Sequence, residues 1–200
     1  MDIFTLTSGY CATNTYVIAE NGFAAVVDPE GAVDNIVCFL EKMDLKPKYV
    51  LVTHGHFDHI EGVAALQRLG ASVYISEQDY NLIDFTGKDT LFGVGDKFTP
   101  DEFVEDGKVY DIIGHKMSVL STPGHTPGGV CYIFDDNTIF SGDSLFNGSV
   151  GRTDFPHADF SMLRLSLNKL FALKGDYIVW PGHGENTTLE YERKFNPYVH

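Results

Sequence analysis

Short apolar runs broken by turn residues open the chain. Ile3 to Thr7, Thr15 to Ala19 and Phe23 to Asp28 read as three strands, with Asn21-Gly22 among the turns between them. This predicts an antiparallel meander that ends at Asp28-Pro29-Glu30-Gly31. The period then lengthens: Val33, Ile36, Val37 and Leu40 predict a helix over Val33 to Met43. Tyr49 to Val52 is an apolar run with the look of a buried strand. Ile60, Val63, Ala64, Leu66 and Leu69 predict a helix stopped by Gly70. Ser72 to Ile75 reads as a strand and Glu77 to Ile83 as a short helix. From Asp84 to Gly95 periodicity fails. Irregular segments of that length are often lids or binding loops, and a surface insertion without function fits the same pattern. Lys108 to Ile113, Met117 to Leu120, Val130 to Phe134 and Thr138 to Phe140 read as strands, with Asp135-Asp136-Asn137 as a hairpin turn. Phe160 to Leu173 places Leu163, Leu167, Leu170 and Phe171 on one helical face. Tyr177 to Trp180 is a last strand and Leu189 to Phe195 a terminal helix. The order predicts an α+β chain: two face-to-face sheets with helices outside, as one domain over residues 1–200.

Composition narrows the function. A hydrophobic content of 44% with 21% charged residues suits a soluble globular protein. The net charge of −14 disfavours nucleic acid and anionic membrane surfaces, which need clustered Lys and Arg. The first residues lack the basic and apolar regions of a signal peptide, and no apolar run is long enough to span a bilayer. Cys11, Cys38 and Cys131 are widely spaced and lie in or near apolar runs. They are expected to be small buried hydrophobes in a reducing cytoplasm.

The chemistry concentrates where strands end. Thr53-His54-Gly55-His56-Phe57-Asp58-His59 follows the run Tyr49 to Val52, so a His-x-His pair and an Asp-His dipeptide leave a fixed platform together. Thr122-Pro123-Gly124-His125-Thr126-Pro127-Gly128 follows the strand ending at Leu120. Ser141-Gly142-Asp143 follows Phe140, and Pro181-Gly182-His183-Gly184 follows Trp180. Glycine or proline braces each candidate, as a sharp turn presenting one side chain requires. His125 or His183 alone would read as a turn histidine; beside the cluster at His54, both read as ligands. His115, His157 and His200 have no such context and are assigned to the surface.

His54-x-His56-x-Asp58-His59, followed by His125, Asp143 and His183, resembles the metallo-β-lactamase superfamily across nearly the whole chain. The resemblance implies an αββα sandwich with a metal site at one edge between the sheets. It assigns His54, His56 and His125 to one metal, Asp58, His59 and His183 to a second, and Asp143 to a bridge between them. Two divalent ions per chain are implied, zinc first, with iron or manganese as alternatives; imidazole and carboxylate donors suit all three. Antibiotic-cleaving members commonly carry Cys at the position of Asp143, and flavodiiron members carry Glu at that of His56. Neither is present here.

Within the superfamily, Thr122-Pro123-Gly124-His125-Thr126 and Gly142-Asp143-Ser144-Leu145-Phe146 resemble the glyoxalase II type of thioester hydrolase, also called hydroxyacylglutathione hydrolase. Thr187-Thr188-Leu189 with Glu192-Arg193 and Asn196-Pro197 resembles its compact, single-domain bacterial branch. The implied reaction is hydrolysis of a thioester or ester by a metal-bridged hydroxide, with Asp58 and Asp143 orienting the nucleophile. The implied partner is a small, glutathione-derived substrate such as S-D-lactoylglutathione. Arg152 is expected at the glutathione part of that substrate, and Arg193, with Lys194, is a second candidate for it. Persulfide dioxygenases share the ligands and the run Gly151-Arg152-Thr153-Asp154-Phe155, use one Fe²⁺, and generally carry Cys where Val150 stands. A lactonase, a phosphodiesterase and a non-catalytic metal-binding protein are the other readings.

Overall fold

The early meander forms as its alternation predicts. In a computed structural model describing residues 1–31 and 33–198, β1 (Asp2–Ser8), β2 (Thr13–Glu20) and β3 (Phe23–Val27) pair antiparallel. Asn21 and Gly22 both take positive φ, which matches a tight hairpin turn to the twist of its strands. Helix α1 (Val33–Lys42) then crosses to β4 (Lys46–Leu51), parallel to β3. Two short helices, α2 (Phe57–Ile60) and α3 (Val63–Arg68), lead to β5 (Ser72–Ile75). After α4 (Glu77–Tyr80), β6 (Glu102–Phe103) closes a mixed sheet in the order β1-β2-β3-β4-β5-β6.

The second sheet starts with β7 (Val109–Ile112), β8 (His115–Ser121), β9 (Val130–Phe134) and β10 (Thr138–Gly142), all antiparallel. A small hairpin follows, β11 (Leu145–Phe146) and β12 (Ser149–Val150). Helix α5 (Phe160–Phe171) returns the chain to β13 (Ile178–Pro181), parallel to β10. Then β14 (Thr187–Thr188) and α6 (Leu189–Phe195) complete the order β14-β13-β10-β9-β8-β7.

Strand alternation sorts the apolar residues into three layers. Tyr16, Ile18, Val27 and Leu51 from the first sheet meet Met117, Tyr132, Phe134 and Phe140 from the second in the central layer. The intervening residues face outward. Val17, Val26 and Val50 pack with Ile36 and Leu40 of α1 and Val63 and Leu66 of α3. Cys131, Ile139 and Val179 pack with Leu163, Leu167 and Leu170 of α5 and Leu189 of α6. Period-2 strands buried on both faces and amphipathic helices therefore give an αββα sandwich.

Three expectations are corrected. The helix expected over Ile60 to Leu69 is broken, because the Gly62 N–H donates to Pro29 O at 2.8 Å and a Cβ there would lie 3.0 Å from the same oxygen. The break leaves Asp58 and His59 on α2, a helical turn of their own. Cys11 and Cys38 are exposed, and only Cys131 is a buried hydrophobe. Cys11 lies in the turn between β1 and β2, and Cys38 lies on the face of α1 opposite Ile36 and Leu40. Arg193 is directed to backbone carbonyls rather than to a substrate site, as described below. His200 lies outside the described residues.

Phe140 is fully buried, with its ring centroid 5.2 Å from Tyr16 and 5.8 Å from Phe134. Phe140→Ala should lower stability by about 3–5 kcal/mol, read as a shift in urea midpoint with little change in slope.

Candidate metal centre

Strand ends deliver the chemistry to one edge of the sandwich. His54 and His56 follow β4, His125 lies between β8 and β9, Asp143 follows β10 and His183 follows β13. One donor atom each from His54, His56 and His125 lie within 4.8 Å of one another, and so do donors from Asp58, His59 and His183. Asp143 stands between the two groups. Its Oδ2 lies 3.4 Å from His125 Nε2 and 3.5 Å from His183 Nε2, and its Oδ1 lies 3.5 Å from His59 Nε2. All seven expected ligands are thus brought together, and all but His183 are nearly or fully buried.

Neighbouring groups orient the imidazoles by holding the nitrogen that faces away from the centre. His59 Nδ1 donates to Asp28 Oδ2 at 2.9 Å, and His125 Nδ1 donates to Arg152 O at 2.8 Å. His183 Nδ1 donates to Cys11 O at 3.1 Å. The Thr53 hydroxyl donates to Asp28 Oδ2 at 2.6 Å and accepts from His54 Nδ1 at 3.1 Å. Holding Nδ1–H in this way turns Nε2 of these four histidines toward the centre, where His125 Nε2 lies 3.0 Å from His56 Nδ1. Asp28 also accepts from Thr53 N at 2.7 Å, so one carboxylate orients histidines from both groups. Asp58 is held by Thr13, whose hydroxyl donates to Oδ2 at 2.7 Å.

The electrostatics match a cation-binding role. Burial, reinforced by neighbouring imidazoles, pushes His54 well below the usual histidine range and His56 down to about 3. Burial also opposes charge on His59, but Asp143 and Asp28 outweigh it and raise His59 to about 9. Burial would raise Asp143; His59, His183 and His125 prevail and hold it below the ordinary carboxylate range. His54 Nε2, His56 Nε2, His59 Nε2 and Asp143 Oδ1 are buried without any hydrogen-bond partner. Unprotonated His54 and His56 beside an anionic Asp143 suit divalent cations, and a bound cation would take the place of the proton that Asp143 and Asp28 favour on His59.

A second buried carboxylate ties the His54–His56 turn to the His125 turn. Asp79 of α4 accepts from Gly55 N at 2.9 Å, Thr126 Oγ1 at 2.7 Å and Gly128 N at 2.6 Å. Gly128 is required by this approach, since a Cβ would lie 2.6 Å from Asp79 Oδ1. Asp28, Thr53, Thr13 and Asp79 were not singled out from the sequence. Asp28 closes the meander and Asp79 sits in a Ser-x-x-Asp helix start, so both read locally as turn and capping residues.

Beside the centre is a cavity of about 400 Å³, walled by Leu91, Phe146, Val150, Phe155, Cys11 and Arg152 among others. Arg152 stacks over Phe155, 4.0 Å from the ring centroid, and makes a two-point ion pair with Asp154 at 2.7 and 2.6 Å. The irregular segment 84–95 contributes a wall. Leu91 O accepts from Phe57 N at 2.8 Å, and the Phe92 ring lies 4.9 Å from that of His56. Asp84 organises this segment by accepting from the backbone N–H of Thr86, Lys88 and Asp89. Arg193 is not in the cavity: its guanidinium donates to Phe171 O, Leu173 O and Gly175 O past the end of α5. Lys194 pairs with Glu190 on the same exposed helix face.

Asp79→Asn replaces an acceptor by a donor against at least one N–H or O–H. It should lower stability by about 1–3 kcal/mol, measured by chemical denaturation of the metal-free protein.

A family model described as the metallo-beta-lactamase superfamily matches residues 8–183. Hydroxyacylglutathione hydrolase GloC of Haemophilus influenzae is 37% identical over 184 residues, covering 88% of this chain and 87% of that protein. Among solved structures, BLEG-1 B3 metallo-beta-lactamase is 31% identical with a TM-score of 0.90, covering 99% of both chains. ETHE1 from Myxococcus xanthus is 29% identical with a TM-score of 0.83, covering 100% of this chain and 84% of that one. With its ligand-type side chains gathered at one edge of an αββα sandwich, the chain belongs to the metallo-β-lactamase superfamily.

Proposed function

We propose that this chain works as a single-domain, metal-dependent hydrolase of thioesters or esters, with a glutathione thioester such as S-D-lactoylglutathione as the leading substrate. The observation that carries this reading is the pair of three-donor groups with Asp143 between them, opening on an apolar cavity that holds one arginine. His54, His56 and His125 would hold one divalent ion, Asp58, His59 and His183 a second, and Asp143 would touch both. Zinc is the first choice, with iron or manganese as alternatives. Such a pair of ions supplies Lewis acidity and a water made acidic enough to deprotonate near neutral pH.

The chain's own residues do the rest. Asp58, held by Thr13, and Asp143 present carboxylate oxygens toward the centre and orient the attacking water. Phe146, Val150 and Phe155 line the cavity, hold the apolar part of the substrate and exclude bulk water. Arg152 faces an anionic group of the substrate, which the net charge of −14 would otherwise repel at long range. The 37% identity to a hydroxyacylglutathione hydrolase over most of both chains supports the substrate class. Three free cysteines, two of them exposed, support a reducing compartment such as the cytoplasm. Among the described residues no helix is long and apolar enough to cross a membrane.

A second reading rests on the run Gly151-Arg152-Thr153-Asp154-Phe155, which lines the cavity through Arg152 and Phe155. In that reading the chain is a persulfide dioxygenase with one iron ion, and the structural likeness to ETHE1 supports it. Oxygen uptake with glutathione persulfide separates the two.

The test is thiol release from S-D-lactoylglutathione by the metal-loaded protein, beside a neutral thioester and a β-lactam. His54→Ala and Asp143→Ala should each lose metal content and thioester turnover together, turnover falling by at least about a thousandfold. Full turnover in either variant contradicts the assignment.

A further inference from the structure

The terminal helix and its C-terminal cap carry two buried polar residues that the reaction does not use. Glu192 and Asn196 are both 0% exposed. Glu192 Oε1 accepts from Thr187 Oγ1 at 2.7 Å, and Oε2 accepts from Asn196 Nδ2 at 2.7 Å. The Gly148 N–H reaches both oxygens, at 3.2 and 3.1 Å. Asn196 Nδ2 also donates to Ser149 O at 3.1 Å. Glu192 of α6 and Asn196, the residue that caps its end, therefore grip the turn of the β11–β12 hairpin by its backbone.

That hairpin cannot place itself. Its pairing consists of Leu145 with Val150 and Phe146 with Ser149, far short of what an isolated two-stranded ribbon needs. Gly148, at φ +69, makes its turn and directs the N–H at Glu192. The opposite side of the hairpin is the cavity wall. Phe146, Ser149 and Val150 line the cavity, and the Phe146 ring lies 6.0 Å from that of His183. Leu145 and Val150 also enter the outer core with Leu189 of α6. Helix α6 is thus the support behind the wall, and Glu192 is the charged group at its centre.

We propose that Glu192 and Asn196 are positioning residues that fix the β11–β12 hairpin as the wall selecting the acyl or thiol part of the substrate. The selective role rests on the thioesterase reading; the mechanical role does not. Both carboxylate oxygens of Glu192 face donors only. A Gln amide can keep its oxygen for Asn196 Nδ2 and turn its NH₂ to the Thr187 hydroxyl, but it gives up one of the two oxygens that the Gly148 N–H reaches and the negative charge that strengthens the rest, so the hairpin would loosen. Five of the seven ligand-type side chains, His54, Asp58, His59, His125 and His183, are held by Thr53, Thr13, Asp28 and the carbonyls of Arg152 and Cys11, all outside residues 145–150, so metal content should survive that loosening.

The experiment compares wild type, Glu192→Gln and the milder Thr187→Val in the full chain, each metal-loaded. Amide hydrogen exchange over residues 145–150 should speed up at least about tenfold in Glu192→Gln and less in Thr187→Val, with the strands of both sheets unchanged. KM for S-D-lactoylglutathione and for phenyl thioacetate should rise by different factors, at least one of them about tenfold, with kcat within about twofold and metal content unchanged. Unchanged exchange at 145–150 overturns the clamp, whether or not any thioester is hydrolysed. Faster exchange with both KM values unmoved overturns the selective role. A parallel fall of kcat and metal content with KM unmoved reduces the pair to ordinary scaffolding and also overturns it. A wild type that hydrolyses neither thioester counts against the thioesterase reading and the selective role built on it, and exchange alone then decides the clamp.

Discussion

Burial of polar atoms that the protein itself leaves unsatisfied is the constraint on which this structure turns. Imidazole nitrogens of His54, His56 and His59 and one oxygen of Asp143 are out of water and without partners. Each such group normally costs on the order of 1–3 kcal/mol, more when charged. The fold accepts that cost at one edge because the outward nitrogens of four of the five ligand-type histidines are well satisfied. Asp28, Thr53, the Arg152 carbonyl and the Cys11 carbonyl hold the outward nitrogens of His59, His54, His125 and His183. Orientation comes from the protein, and compensation is left to a bound cation.

The sandwich makes this possible by ending its strands in the right place. Both sheets are mixed, and the strands preceding the ligands, β4, β8, β10 and β13, deliver short turns to a common edge. A Cβ on Gly182 would lie 2.1 Å from Asp143 Oδ1, so the turn after β13 passes the carboxylate with only hydrogen between. Carboxylates brace the edge from three directions: Asp28 under the histidines, Asp79 between two ligand turns, and Glu192 behind the cavity wall. None of the three is itself in the proposed metal shell.

Much of this was legible in the sequence, for physical reasons. The strands and the two long helices follow from period-2 and period-3.6 burial, and all three layers of the core are populated accordingly. The ligands were legible because histidine and aspartate after strand ends, braced by Gly and Pro, have few other uses. The supporting carboxylates were not, since an isolated Asp or Glu looks like a surface acid until its donors are seen. Arg193 misled for the converse reason: a cation on a terminal helix says nothing about whether three carbonyls already occupy it. The broken helix at Gly62 depends on the approach of Pro29, a contact across 33 residues that local periodicity does not encode.

The most direct measurement is a calorimetric metal titration of the metal-free protein. Two divalent ions per chain, with Asp143→Ala weakening both binding events, is the result expected if one carboxylate serves two groups of ligands. A single ion per chain, or two ions indifferent to Asp143, would contradict the proposed two-ion centre.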